Sequence, residues 1–484
     1  MLKQFFKDSL LYGFAGLLSR GISIILLPLY TRILSPGDFG IIDLVVVFAS
    51  FVNVLVPLGI SSGIARYYPD AGSENEKISY ASSALWFTVA AYAVFALVAF
   101  SGADALTVLL LGDIKWRLFF QLGIISIIIS GIFYFFQNLL RWQLQPRIYI
   151  VSSMASTLVT AAVAVFAVIV MRWGVVGIIV GQIAGASAGS MIAWYTNRGV
   201  YSLIFDLNRL KKMLVFSIPI VPALIGEFVT NYIDRIAIRS ILSISDLGLY
   251  GIGFRFASVV SLLMMGFNSS LTPLIYNNYK KESTPHDVAR IFRFFLILAL
   301  PLLLIISLFA RETLFVFTTP QYYSAWKIIP ILSLAFLLLT LYNFAPGMDI
   351  NKKTKIIAGI HLLTALLNTA LNFSLIPFFG IIGSALATML SALFSFVSYM
   401  VMSQRLYFVP HNWLRILSAT VLGVIFSLAG VIISPATTLL SATLLSKLIV
   451  VCLFSIISSC ILFSREEIRS LFVKFSGKLS VICG

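Results

Sequence analysis

Charge is scarce in this chain: only 11% of its 484 residues are Asp, Glu, Lys or Arg, while 60% are hydrophobic. A water-soluble domain needs far more polar surface, so an integral membrane protein is expected. Cysteine is also rare. Cys452, Cys460 and Cys483 have no paired spacing, which excludes a disulfide framework and a thiolate metal site. No phosphate-binding P-loop, nucleophile elbow, metal-ligand cluster or pair of loop carboxylates is present. Neither an enzyme nor a cofactor-dependent protein is therefore expected. No long polar segment interrupts the hydrophobic runs, which places function inside the bilayer.

What is present is a succession of continuous apolar runs of about 20 residues, the length of a membrane-crossing helix, whereas barrel strands would alternate over about 10. Fourteen such runs are read, the first near residue 20 and the last near residue 452. Lys3 and Lys7 before an apolar stretch resemble a signal peptide. No small-residue cleavage site follows, and hydrophobicity continues past Arg20 through Leu29, so this segment is expected to be the first helix.

Most of the 34 Lys and Arg residues fall on alternate connections, including Arg66 and Lys77, Arg209, Lys211 and Lys212, and Lys352, Lys353 and Lys355. Basic loops resist translocation, so these segments and both termini are predicted to be cytoplasmic. The net charge of +16 is spread along the chain instead of lying on one face. That pattern fits anionic lipid headgroups and does not call for nucleic acid.

Two distant stretches nearly repeat each other: Leu34-Ser35-Pro36-Gly37-Asp38-Phe39-Gly40 and, about 208 residues later, Leu242-Ser243-Ile244-Ser245-Asp246-Leu247-Gly248. Gly174-Val175-Val176-Gly177 and Gly380-Ile381-Ile382-Gly383 echo one another at a similar offset. Six spans separate the copies, and an even number returns the chain to the same side. The expected architecture is all-α, with two parallel six-helix lobes around a central cavity and two C-terminal helices. Residues 1–212 form the N-terminal lobe, 213–405 the C-terminal lobe, and 406–484 the last two helices and tail. Lys447 is the one charge well inside that last pair, which reads as a lipid-facing addition. Asp38 and Asp246 sit where a turn and helix start need them.

Ionisable groups at membrane depth cost several kcal/mol unless they meet water or a partner, so each is a candidate site. Arg20, Glu227 and Arg255 are the clearest, and Glu227 shifted by the repeat offset falls beside Arg20. Small or polar residues recur at helical spacing: Arg20 and Ser23 in span one; Asp43, Ser50 and nearby Asn53 in span two; Glu227, Asn231 and Asp234 in span seven; Arg255 and Ser258 in span eight. Two readings stand. Arg20 and Glu227 form a salt bridge between lobes, or Arg20 and Arg255 create a cationic cavity for an anionic substrate, with Glu227 and Asp43 as counter-ions or proton sites. The aromatic run Phe133–Phe136 with Gln137 and Asn138 offers either sugar stacking or an interfacial anchor. His361 offers a proton relay or a polar group packed between helices.

The pattern Leu27-Pro-Leu-Tyr-Thr-Arg-Ile-Leu-Ser-Pro-Gly-Asp-Phe-Gly40, followed by Gly63-Ile-Ala-Arg-Tyr-Tyr-Pro69, resembles bacterial polysaccharide-repeat flippases of the O-antigen translocase type. These belong to the superfamily of the lipid II flippase and the multidrug-and-toxin extruders. The resemblance implies movement of an undecaprenyl-pyrophosphate-linked oligosaccharide across the bacterial inner membrane by alternating access, with arginines on the first and eighth helices in the cavity. It also implies a polysaccharide polymerase and a chain-length regulator as candidate partners. A multidrug or cation antiporter would favour acidic and aromatic cavity groups, and a membrane glycosyltransferase or polymerase would not explain the duplication.

Overall fold

The computed structural model describes residues 21–433 and 440–463, and among them every regular element is helical. Among the described residues eleven helices are long and apolar enough to cross a bilayer, or twelve if the bent pair Pro320–Lys327 and Ile329–Phe344 is one span. Two shorter apolar helices, Gly21–Thr31 and Trp413–Ser427, fall at the expected first and thirteenth positions. Among the described residues eleven or twelve spans thus meet the length criterion. The protein is a multi-pass, all-helical membrane protein.

The apolar helices are numbered α1 (Gly21–Thr31), α2 (Pro36–Leu55), α3 (Glu74–Ser101), α4 (Arg117–Trp142), α5 (Pro146–Val165), α6 (Val175–Thr196) and α7 (Val221–Ile241). They continue as α8 (Ile244–Ala257), α9 (Thr284–Leu308), α10 (Ile329–Leu341), α11 (Thr354–Phe379), α12 (Ile381–Leu406), α13 (Trp413–Ile433) and α14 (Leu440–Leu462). The chain divides into two compact units. One takes in residues up to Ile252 with Val316–Ala325 and Ala365–Ala387; the other takes in Gly253–Phe315, Trp326–Thr364 and the chain from Thr388.

In the first unit α5 and α6 pack backbone to backbone. Gly177, Gly181, Gly185 and Gly189 recur every fourth residue on α6, and a Cβ on Gly181 would come within 2.9 Å of the Thr160 carbonyl. Lipid offers no hydrophobic drive between helices, so this close approach supplies the dispersion contact that holds them. Nearer the predicted cytoplasmic side, Ile64, Leu139, Leu140 and Met213 form a buried cluster. Phe135 and Phe136 join it, while Tyr134 is exposed, so the aromatic run is mainly packing.

In the second unit α9 is central: Phe292, Phe295, Leu296, Leu300 and Leu304 pack with residues of α10, α13 and α14. Lys447 does not face lipid. Its buried ammonium donates to the Leu308 carbonyl at 2.8 Å and to Glu312 at 2.5 Å, fastening α14 to the end of α9. A cation that pairs and donates locally costs far less than one left in hydrocarbon. An apolar cavity of about 180 Å³ lies between α9, α10, α12 and α13, lined by Leu303, Leu304, Leu334, Met389 and Val424.

His411 lies in the turn between α12 and α13, its ring edge-on to Phe292 and its Nε2 3.2 Å from the Phe344 carbonyl oxygen. That geometry assigns the proton to Nε2, which donates. Burial pushes the imidazole down to about 4. The unfolded chain takes up a second ring proton below about 6.5, whereas the folded one does so only near 4. Stability is therefore undiminished above pH 6.5 and falls between pH 6.5 and 4, by on the order of 3 kcal/mol. A pH series of thermal midpoints in detergent should show this decline, and His411→Gln should flatten it.

Candidate functional site

The two repeated loops are built alike. The Ser35 amide donates to the Asp38 carboxylate at 2.8 Å and the Asp38 amide returns a bond to the Ser35 hydroxyl at 3.2 Å. Ser243 and Asp246 exchange the same bonds at 3.2 and 3.1 Å. Each pair is a capping box satisfying orphan amides at the first turn of α2 or α8. The helix starts expected from the sequence are present.

The loops also meet. A Cβ on Gly248 would overlap the Pro36 carbonyl and come within 2.9 Å of the Gly40 nitrogen, and one on Gly40 would overlap the Ile244 carbonyl and come within 2.7 Å of its side chain. Pro36 and Ile244 are equivalent positions of the repeat, as are Gly40 and Gly248. The contact is thus reciprocal, like an isologous interface between two subunits. Tyr322, fully buried, caps it from the segment before α10: its hydroxyl donates to the Leu34 carbonyl at 2.6 Å and its ring meets Phe39 edge-on. Thr31 donates to the Phe317 carbonyl and Thr319 to the Thr31 carbonyl.

Seven residues into α2, Asp43 is buried and interacts electrostatically with Arg235 of α7. Arg235 Nη1 lies 2.9 and 3.0 Å from the two Asp234 carboxylate oxygens and donates to both, and Tyr250 of α8 donates to Asp234 at 2.7 Å. All three charged residues are less than a tenth exposed. Two carboxylates and one guanidinium meet in this cluster. Arg235 was not singled out by helical spacing. Its signal was a second ionisable group directly after Asp234, six residues before the end of α7.

The predicted polar stripe of α7 splits. Asp234 turns inward to this cluster, while Glu227 and Asn231 are exposed. Glu227 has no hydrogen-bond or ion-pair partner among the described residues. Ser50 of α2 is hydrogen-bonded to the Tyr232 hydroxyl at 2.9 Å, joining α2 to α7. Asn53 instead accepts from Tyr92 of α3 at 2.6 Å, so it faces its own lobe's interior. Ser23 of α1 is exposed. Arg255 belongs to the second unit; it is half-buried, and its carbonyl accepts from Ser258 at 2.8 Å. Arg20 lies outside the described residues. His361, far from being packed between helices, is exposed beside Tyr342 and Tyr399.

The fold is that of a multi-pass, all-helical membrane protein with known structural relatives. It is similar to the lipid II flippase MurJ in an inward closed conformation, with a TM-score of 0.75 at 15% identity over 93% of this chain and 98% of that one. It is also similar to an inward-facing multidrug resistance MATE family transporter of the MOP superfamily, with a TM-score of 0.63 at 13% identity over 80% and 95%. Residues 29–325 match the polysaccharide biosynthesis protein family, and the chain belongs to it. Lsg locus putative protein 1 of Haemophilus influenzae is 24% identical over 78% of this chain and 95% of its own length. The succinoglycan biosynthesis transport protein ExoT of Rhizobium meliloti is 22% identical over 66% of this chain and 64% of its own.

Proposed function

We propose that this protein flips an undecaprenyl-pyrophosphate-linked oligosaccharide from the cytoplasmic to the outer leaflet of the bacterial inner membrane by alternating access. The family match over residues 29–325 carries this reading, because it joins polysaccharide biosynthesis to a flippase fold. The diphosphate needs a wet, cationic path, for which Arg20 and Arg255 are the candidates, while the lipid tail needs only apolar surface. Two lobes, residues 1–212 and 213–405, rock about that path, with both termini in the cytoplasm. If an ion gradient drives the cycle, Asp43 and Glu227 are the carboxylates available to couple it. A multidrug antiporter shares the fold but not the family.

Expression in a strain lacking its own translocase tests the reading. The wild-type chain should restore surface polysaccharide, Arg255→Ala should lose at least about tenfold, and Arg255→Lys should retain part, since ammonium keeps the charge without the planar fork. No restoration by the wild-type chain in a strain with matching glycan would count against the flippase reading. Full activity of Arg255→Ala would remove that residue from the path.

A further inference from the structure

We propose that Asp349, Tyr342, Tyr399 and His361 form a sugar-reading site for the headgroup of the lipid-linked glycan, selective for neutral or amino sugars over acidic ones; this rests on the flippase reading above.

Four segments of the second unit converge here. Tyr342 follows α10, Asp349 lies in the short helix Gly347–Ile350, His361 is two turns into α11, and Tyr399 is on α12. Tyr399 donates to Asp349 Oδ2 at 3.2 Å. The Tyr342 and Tyr399 rings are 4.8 Å apart, and the His361 ring is 6.5 Å from each. Ile360, Met348 and Met400 form an apolar floor beneath them. Asp349 and His361 are exposed, and Tyr276, also exposed, lies within electrostatic reach of Asp349.

A structural role does not account for Asp349. Its turn is already held by Ser403, which accepts from the Gly347 amide at 2.6 Å and donates to the Ala345 carbonyl at 2.5 Å. Asn351 adds a bond to the Gly347 carbonyl at 2.8 Å. Among the described residues no cation pairs with Asp349, and neither the Tyr342 hydroxyl nor the His361 ring has a hydrogen-bond partner. Tyr399 is buried and positions Asp349, so what remains open is the partly exposed Tyr342 ring with the exposed Asp349 and His361, the combination a sugar ring requires: its apolar C–H face stacks on a ring, and hydroxyls or amides bond to a carboxylate and an imidazole.

The place and charge also suit a headgroup. Lys352, Lys353 and Lys355 are exposed around the start of α11, on the predicted cytoplasmic side. They supply attraction for a diphosphate, and His361 lies about 10 Å along the helix from its start. A carboxylate facing the sugar rejects a second carboxylate, since like charges brought together cost several kcal/mol. Asp349 thus acts by repulsion as well as attraction.

Full-length protein in nanodiscs of neutral lipid would be offered two probes, a polyprenyl diphosphate carrying N-acetylglucosamine and the same lipid carrying glucuronic acid. The wild type should bind the first about tenfold more tightly, and Asp349→Asn should bring the ratio close to one while keeping the thermal midpoint. Tyr342→Ala should weaken the N-acetylglucosamine probe about fivefold. Replacing Lys352, Lys353 and Lys355 with Ala should weaken both probes and leave the ratio intact. An unchanged ratio in Asp349→Asn overturns the sugar-reading site alone. If the wild type binds neither probe better than bare polyprenol, the flippase reading falls, and this site with it.

Discussion

Gly248→Ala is expected to be among the most damaging single substitutions in the chain, although it adds one methyl group. The new Cβ would overlap the Pro36 carbonyl, which is backbone and has no rotamer to move away, and would press on the Gly40 nitrogen. Overpacking of side chains costs about 1–3 kcal/mol, and a backbone obstacle should exceed that range. Gly40→Ala should do the same through Ile244. Gly359→Ala is the control: nothing described lies within 4 Å of its Cβ, and alanine favours a helix by up to about 1 kcal/mol. Thermal midpoints in detergent should fall by many degrees for the first two and hold for the third. Equal midpoints for all three would mean that α2 and α8 separate at no cost.

The second large effect is expected at Arg235. Arg235→Met leaves Asp234 buried without the guanidinium it pairs with, and removing one partner of a buried pair costs about 3–5 kcal/mol. Arg235→Met with Asp234→Asn should recover part of the loss, because the uncompensated charge beside Tyr250 is gone. A double-mutant cycle on thermal midpoints measures this coupling. Purely additive losses would show that Asp234 and Arg235 are energetically independent despite bonds of 2.9 and 3.0 Å.

The membrane helices and both capping boxes were legible because they are local. An apolar run declares its own solvent, and Ser-x-x-Asp declares its own turn. The charged stripe of α7 was only half legible. Spacing grouped Glu227, Asn231 and Asp234, but Asp234 turns inward and the other two stay exposed. A helical wheel gives angles about an axis, not which neighbour occupies each angle. Arg235 went unnoticed beside Asp234 for the same reason, and Asn53 found Tyr92 instead of the α7 face.

By itself the sequence determined that this protein lies in a membrane as helices, that a Leu-Ser-x-x-Asp-x-Gly stretch recurs about 208 residues on, and where α2 and α8 begin. Each of these follows from composition or from contacts a few residues apart. Only the tertiary structure decided that the duplicated glycines lock against each other's helix start, that Asp43 and Asp234 share Arg235, and that Asp349 meets Tyr399, whose ring lies beside those of Tyr342 and His361. Those outcomes depend on which helices become neighbours, a choice made by packing between segments far apart in the chain.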